Sequence, residues 1–181
     1  MSIAWPFAES DTEPVSIELT SDGFPPAIHP AEASLFCRQS AMPGHNQDAI
    51  ERAHVAVVGA GGLGSWIALG LARMGVRRLT LIDPDRFDRT NAPRQLMFGP
   101  DMGVFKAHAL ARNVLPHMTN AGSIRAIAAP FTDTLLAGTD NVSLLIVGID
   151  NNRGRLEAAH WGRARRIPVV FSMLSADGLR C

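Results

Sequence analysis

Three glycines and a downstream carboxylate are the first residues whose spacing indicates a chemistry. Gly59, Gly61 and Gly64, in "GAGGLG", fit the G-x-G-x-x-G pattern between a β-branched run and an amphipathic segment. Glycines there permit a tight turn, and backbone N–H groups at a helix N-terminus can bind phosphate. Asp83 follows the next apolar run, about twenty residues further on, where a carboxylate can accept hydrogen bonds from a ribose. The spacing indicates a nucleotide site without specifying the nucleotide.

The segment after Asp83 carries side chains suited to a triphosphate. Asn91 offers an amide, Arg94 a planar guanidinium, and Lys106, the sole lysine of the sequence, a compact ammonium. Asp150 and Asn151 follow another apolar run, and oxygens at the carboxyl end of such a strand suit Mg²⁺. These side chains favour ATP with Mg²⁺ over NAD(P). An NAD(P)-dependent oxidoreductase is the alternative that the glycine pattern alone allows.

Alternating apolar and amphipathic segments predict the elements that position these residues. Strands are predicted in the run that begins at residue 54 and in 77–83, 123–129, 141–150 and 167–174, with helices after the glycines, in 103–115 and in 151–166. Trp66, Ile67 and Leu71 have helical spacing and are predicted core residues. The fold class is therefore α/β and Rossmann-like, with a mostly parallel sheet and helices on both faces.

The first 35 residues differ from the rest in composition and in the pattern of apolar residues. They contain five prolines, scattered acids and no sustained period, which predicts an irregular N-terminal arm with one short strand at 15–19. Residues 36–181 are predicted to form one domain, because 181 residues suffice for one core and are too few for two comfortable ones.

The overall charge and the apolar content exclude some partners. The 17 basic and 17 acidic residues give a formal net charge of zero, so there is no electrostatic reason to expect binding to nucleic acid or to an anionic membrane. No apolar stretch approaches the roughly 18 to 20 residues of a membrane helix. The two cysteines do not form a disulfide framework. We expect a cytoplasmic protein that binds neither nucleic acid nor membranes.

Taken in order along the chain, these motifs resemble those of the ThiF/MoeB-type adenylyltransferases, relatives of the ubiquitin-activating enzymes. The resemblance rests on "VAVVGAGGLGS", "LIDPDRFDRTNAPRQ", "GVFKA" and "GIDNN", with "FCRQSAMPG" upstream, and covers about residues 36–177. It implies ATP-dependent activation of the C-terminal glycine carboxylate of a ubiquitin-like or sulfur-carrier protein ending in Gly-Gly. The product would be an acyl-adenylate, with release of pyrophosphate. A non-catalytic partner subunit of an activating enzyme is the second alternative.

The resemblance also implies roles for single residues. Asp83 would bind the ATP ribose, Asn91, Arg94 and Lys106 would contact the phosphates, and Asp150 would bind Mg²⁺. The remaining nucleotide-binding candidates are Gly59, Gly61, Gly62, Gly64, Asp85, Gln95 and Asn151.

Two further expectations concern assembly and completeness. Arg38, in "FCRQ", resembles the family's arginine that reaches the nucleotide site of a neighbouring subunit, which implies a homodimer and makes Arg38 a catalytic candidate beside Arg94, Lys106 and Asp150. The family normally continues beyond the position of Cys181 into further strands and, in many members, paired CxxC zinc ligands. The domain is therefore expected to be incomplete at its C-terminus.

Overall fold

The computed structural model describes residues 15–24, 35–136 and 141–173. Within them, one sheet has the strand order β1-β4-β3-β2-β5-β6. Its strands are β1 (Ser16–Gly23), β2 (His54–Val58), β3 (Arg78–Ile82), β4 (Asn120–Ile127), β5 (Leu144–Val147) and β6 (Val169–Phe171). Four neighbouring pairs are parallel, and only β1 runs antiparallel, against β4. The predicted mostly parallel sheet is confirmed.

Helices cover both faces of this sheet, as predicted. They are α1 (Cys37–Ser40), α2 (Gln47–Arg52), α3 (Gly62–Arg73), α4 (Lys106–Val114) and α5 (Asn152–Arg165). Val55 and Val57 of β2 belong to the core under α3 and α4, whereas Ala56 and Val58 belong to the core under α5. Successive strand residues point to opposite faces, so one fully buried strand serves both cores. In the described part of the chain, no helix combines the length and the apolarity that crossing a membrane requires.

The chain changes direction across the sheet at β2. It proceeds from β2 outward through β3 to β4, then returns to the other side of β2, where β5 and β6 follow. A crevice therefore lies beyond the carboxyl ends of β2 and β5, which is where ligands bind in open α/β sheets. The glycine motif follows β2 and Asp150 follows β5, so the topology brings these two segments to the same edge.

The segment predicted to be an irregular arm contains a full strand of the sheet. β1 pairs with β4 from Ser16 opposite Ile127 to Gly23 opposite Asn120, and its Ile17 packs against the core under α3 and α4. The short strand predicted at 15–19 forms and extends to Gly23, so the irregular structure predicted for the rest of the arm is wrong for residues 20–23. The prolines that motivated that prediction flank this strand rather than interrupt it. They lie in 1–14 and 25–34, outside the described residues.

Trp66 was predicted to lie in the core, and this is wrong. Its side chain is 53% exposed, and its indole N–H donates a hydrogen bond to the carbonyl oxygen of Arg94 at 3.1 Å. The buried side of α3 is formed by the small residues Gly64, Ser65, Ala68 and Ala72, so the buried stripe is narrower than helical spacing suggested. Ile67 is partly buried against this core, as predicted, and so is Leu71.

Candidate active site

Two glycines of the motif are required by packing. Gly59 has a φ of +97°, and a Cβ there would lie 2.8 Å from the carbonyl oxygen of Gly148. A Cβ on Gly64 would lie 1.8 Å from the carbonyl oxygen of Gly59. Gly61 and Gly62 have no contact closer than 3.6 Å at the same position. The first pair therefore closes the turn, and the second leaves the N-terminus of α3 open to a ligand.

The carboxylate of Asp83 joins the end of β3 to this turn by a hydrogen bond. Its Oδ2 accepts a hydrogen bond from the Ala60 N–H at 2.7 Å, and its Oδ1 accepts one from the Asp85 N–H at 2.8 Å. The side chain is buried, and that burial raises the pKa of Asp83 above its ordinary value, although both hydrogen bonds oppose the rise. Each carboxylate oxygen retains a second lone pair. The carboxylate is thus fixed in direction and can still accept a hydroxyl.

Lys106 is the first residue of α4 and is held against Asp85. Its Nζ lies 2.9 Å from the Asp85 Oδ2, and its backbone N–H donates to the Asp85 carbonyl oxygen at 2.7 Å. The lysine side chain is 12% exposed and the aspartate side chain 65% exposed. Because the carboxylate lies largely in solvent, water and salt weaken its attraction for the ammonium. A phosphate can therefore replace this carboxylate at low cost.

A short antiparallel ladder sets the position of that lysine. Phe87 exchanges backbone hydrogen bonds with Gly103 and Val104, and Arg86 forms a β-bridge with Phe105. The guanidinium of Arg86 lies 3.8 Å from the centre of the Phe105 ring, a cation–π contact. Sequence reasoning did not identify Arg86 or Phe105, because a contact between distant segments leaves no periodic signal. The ladder joins the loop after β3 to the start of α4.

Arg94 and Gln95 lie over the glycine turn, as a shared site requires. The Arg94 Cγ is 3.6 Å from the point where Gly62 would carry a Cβ, and its Nη1 donates to the Thr90 carbonyl oxygen at 2.6 Å. The Gln95 Nε2 is 4.0 Å from the corresponding point of Gly61. Gln95 is buried, and its Oε1 has no hydrogen-bond partner among the described residues. A buried acceptor beside a ligand-accessible turn is available to a bound group.

Asn91 has a local role in the structure. It is buried, and its Oδ1 accepts a hydrogen bond from the Asp88 N–H at 3.2 Å, which closes the 3-10 turn Arg89–Asn91. The Asp88 carboxylate caps the same turn by accepting from Thr90, and this bond lowers the pKa of Asp88. Asn91 thus shapes the loop that carries Arg94, and its contact with a phosphate stays a prediction.

Asp150 and Asn151 occupy the turn between β5 and α5. The Asn151 Oδ1 caps α5 by accepting from the Gly154 N–H at 2.7 Å. Asp150 is exposed, and no described residue forms a hydrogen bond or ion pair with its carboxylate. Gly148, two residues earlier, contacts Gly59 of the glycine turn. An unengaged carboxylate therefore lies at the edge that also presents the N-terminus of α3.

A cavity of about 320 Å³ lies at the carboxyl ends of the strands, on the α5 side of the sheet. Its walls are apolar and include Val58, Ile82, Phe131 and Ile149. The Arg153–Glu157 ion pair, 3.1 Å between Nε and Oε1, lies at its polar side. Its size and its apolar lining suit an aromatic base. Sequence reasoning missed the contribution of Phe131, since no motif marks the segment after β4.

Arg38 lies far from the glycine turn of its own chain. It is exposed on α1, whose neighbour Phe36 packs against Gly75, beyond the C-terminal end of α3. α3 has 12 residues, which at about 1.5 Å per residue separate its two ends by roughly 18 Å. The structure therefore brings Arg94, Lys106 and Asp150 to one edge and leaves Arg38 near the opposite one.

The sequence is similar to those of known proteins. The tRNA threonylcarbamoyladenosine dehydratase of Escherichia coli K12 is 44% identical over 127 residues, which are 65% of this chain and 45% of that protein. The probable adenylyltransferase/sulfurtransferase MoeZ of Mycobacterium tuberculosis is 32% identical over 141 residues, 67% of this chain and 36% of that protein. The chain thus spans less than half the length of either relative.

Structure and family comparisons agree with the sequence motifs. The crystal structure of the E. coli dehydratase, TcdA, in complex with ATP superposes with a TM-score of 0.61 at 30% identity, over 69% of this chain and 52% of that chain. The family model described as "ThiF family" matches residues 36–178, a range that includes the glycine turn, Lys106 and Asp150. The chain therefore belongs to the ThiF family.

Proposed function

We propose that this chain uses ATP to activate a carboxylate as an acyl-adenylate and releases pyrophosphate. The observation that carries the proposal is the convergence of Lys106 and Arg94 on the edge where the N-terminus of α3 is open. A dinucleotide needs the glycine turn and Asp83 but has no use for a separate ammonium at the start of α4. A triphosphate needs both cations, because its charge is larger and extends past the turn.

We infer one orientation for ATP in the site from the cavity and the polar groups around it. The adenine enters the apolar cavity beside Phe131, and the ribose hydroxyls bind the carboxylate of Asp83 at the end of β3. The phosphates then run over the N-terminus of α3, where the helix dipole and free N–H groups favour anions. Lys106 exchanges its bond with Asp85 for a phosphate oxygen.

The chemistry is a displacement at the α-phosphorus. A substrate carboxylate oxygen forms a bond to this phosphorus, the bond to the oxygen that bridges to the β-phosphorus breaks, and pyrophosphate leaves with that electron pair. Lys106 and Arg94 stabilise the charge that develops on the phosphate oxygens, which is the main electrostatic contribution that a protein makes to such a transfer. Positioning of the two reactants supplies the rest.

The site also suits a magnesium ion. Among the described residues, no group of three or more His, Cys, Asp and Glu side chains gathers at one point, so the protein offers single carboxylates. Mg²⁺ is commonly bound by one or two carboxylates together with phosphate oxygens and water. The unengaged carboxylate of Asp150 meets this requirement, and the ion would neutralise charge on the triphosphate.

We further propose a homodimer in which Arg38 acts across the interface. Arg38 lies near the far end of α3 from its own glycine turn, which favours a role at the site of another subunit over a role at its own. In a two-fold symmetric pair each subunit can supply this arginine to the other, and both sites are completed together.

Two substrates are candidates for the activated carboxylate. The sequence motifs and the likeness to the probable adenylyltransferase MoeZ favour the C-terminal glycine of a ubiquitin-like or sulfur-carrier protein. The 44% identity to a tRNA threonylcarbamoyladenosine dehydratase favours a carboxylate on a modified tRNA. Loss of water that involves a carboxylate requires one of its oxygens to become a leaving group, and adenylation by ATP would supply this activation. This second candidate departs from the expectation, drawn from zero net charge, that the chain binds no nucleic acid.

Titration calorimetry and isotope exchange test the proposal. Mg·ATP should release or absorb heat on binding, NAD(H) and NADP(H) should not, and labelled pyrophosphate should exchange into ATP when a competent carboxylate is present. Binding of NAD(H) without binding of Mg·ATP would support the oxidoreductase. Binding of ATP without exchange for a Gly-Gly carrier or for tRNA would support the non-catalytic partner subunit. A reaction that consumes ATP also agrees with the expected cytoplasmic location.

A further inference from the structure

Arg155 holds the turn that carries Asp150. Its Nε donates a hydrogen bond to the Ile149 carbonyl oxygen at 2.8 Å, and its backbone N–H donates to the Asn151 carbonyl oxygen at 3.3 Å. One residue of α5 thus binds both neighbours of Asp150 in the sequence. Its Nη1 also lies 3.4 Å from the Asn152 Oδ1, which fixes the guanidinium against the first turn of the helix.

The sheet bonds that the structure describes end just before this turn. The last bond from β5 toward β2 is made by the Gly148 N–H, which donates to the Val58 carbonyl oxygen at 2.8 Å. Among residues 15–24, 35–136 and 141–173, no strand N–H donates to the Ile149 carbonyl oxygen. The guanidinium of Arg155 is the donor that this oxygen has there. A hydrogen bond from a charged donor is stronger than one between neutral groups.

Close packing makes the turn sensitive to that bond. A Cβ on Gly154 would lie 2.5 Å from the Ile149 Cδ1, so the side chain of Ile149 packs closely against α5. The Ile149 Cγ2 lies 3.0 Å from the position of a Cβ on Gly59, so it also touches the glycine turn. Small movements of Ile149 therefore change the distance between Asp150 and the N-terminus of α3.

We propose that Arg155 is a positioning residue for the metal-binding carboxylate of Asp150. This inference rests on the proposed function, because it assigns to Asp150 the Mg²⁺ that accompanies ATP. In this proposal Arg155 acts through Asp150 and not on the nucleotide or the metal. Its guanidinium holds the carbonyl group of Ile149, the residue before Asp150, and so keeps the turn in place.

Calorimetric titration of ATP, with Mg²⁺ and with EDTA, tests this role in the full chain. Arg155→Met keeps most of the length of the side chain and removes the donor. The ratio of ATP affinity with Mg²⁺ to ATP affinity in EDTA should therefore be about tenfold smaller than in the wild type. Binding in EDTA should not change. Arg163→Met, a substitution of the same kind on the exposed C-terminal end of α5, is the matched control and should behave as the wild type.

A double-mutant cycle with Asp150→Asn identifies the path of the effect. If Arg155 acts through Asp150, the double variant should lose no more of the Mg²⁺-dependent affinity than Asp150→Asn alone. Losses that add would overturn the inference. Arg155→Lys keeps the positive charge and has N–H donors on Nζ, although not at the position of Nε, so it should fall between Arg155→Met and the wild type. A value for Arg155→Lys below that of Arg155→Met would contradict a role of the hydrogen bond.

Two controls separate failure of this inference from other failures. Thermal unfolding should show that the variants are folded. If Arg155→Met does not fold, Arg155→Lys is compared with the wild type instead. If the wild type binds no ATP under either condition, the proposed function is wrong and the inference falls with it. If the wild type binds Mg·ATP and Arg155→Met binds it equally well, only the inference is wrong.

Discussion

Replacing Gly64 by alanine should destabilise the fold far more than the same change two residues earlier. The Cβ of Gly64→Ala would be placed 1.8 Å from the Gly59 carbonyl oxygen, whereas real contacts of this kind are at least 3.0 Å. The Cβ and the carbonyl oxygen must therefore move apart by about 1.2 Å, and the oxygen belongs to the backbone of the turn itself. In Gly62→Ala the nearest atom is the Arg94 Cγ at 3.6 Å, which is an ordinary contact.

The structure gives the size of both effects. Overpacking typically costs about 1 to 3 kcal/mol, and a backbone obstacle places Gly64→Ala at the upper end of that range. For a chain of this length, 1 kcal/mol changes the melting temperature by about 2 to 4 °C. Gly64→Ala should thus melt about 6 to 12 °C below the wild type. Gly62→Ala should be neutral or up to about 1 kcal/mol more stable, because alanine has the higher helix propensity.

Differential scanning calorimetry of the three proteins at one concentration measures these differences. Urea unfolding provides the free energies independently, provided that the slope with denaturant is unchanged. If Gly64→Ala and Gly62→Ala melt within about 2 °C of each other, the close approach of Gly64 to Gly59 does not limit this turn. The packing account of the motif would then have to be abandoned.

Three further predictions concern the site and its assembly. Lys106→Arg should lower adenylation about a hundredfold in kinetic assays although charge is kept, because a broad guanidinium does not fit a point-charge site; near wild-type turnover would contradict this role. Burial raises the pKa of Asp83 above its ordinary 3.8, so ionising this carboxyl in the folded protein lowers the free energy of unfolding. This loss is absent below the pKa of the unfolded chain and complete above the pKa of the folded protein. In urea titrations from about pH 4 upward, Asp83→Leu should lack this fall in stability with rising pH, and an unchanged slope would refute the assignment. Mixing Arg38→Ala with Lys106→Ala subunits should restore one intact site per heterodimer, and failure to recover activity despite proven subunit exchange would exclude a role of Arg38 in trans.

Local patterns predicted the parts of the site that one segment determines alone. Gly59, Gly61 and Gly64 lie between a strand and a helix, and a short stretch of consecutive residues is enough to predict the succession of strand, turn and helix. Asp83 was placed correctly at the end of β3 for the same reason. Its hydrogen bond to Ala60 was not predicted, because it depends on the register between β2 and β3, which only the folded sheet sets.

The errors have a common cause in long-range packing. The prolines around β1 indicated an irregular arm, yet the strand forms because β4 offers it a free edge. Trp66 has the hydrophobicity and spacing of a core residue, but the loop at Arg94 gives its indole N–H a partner at the surface. Neither partner is close in sequence, so no windowed pattern contains it.

The ion pair between Lys106 and Asp85 has a consequence for selectivity. The carboxylate belongs to the same loop as the binding site, so it competes with every ligand at a local concentration that dilution does not lower. A weak monoanion gains little by displacing it, whereas a polyphosphate offers the ammonium several oxygens and more charge. The site thus discriminates by ligand charge before any base or ribose is recognised. Free chloride or acetate at cellular concentrations would leave Lys106 paired, and a nucleoside triphosphate would release it.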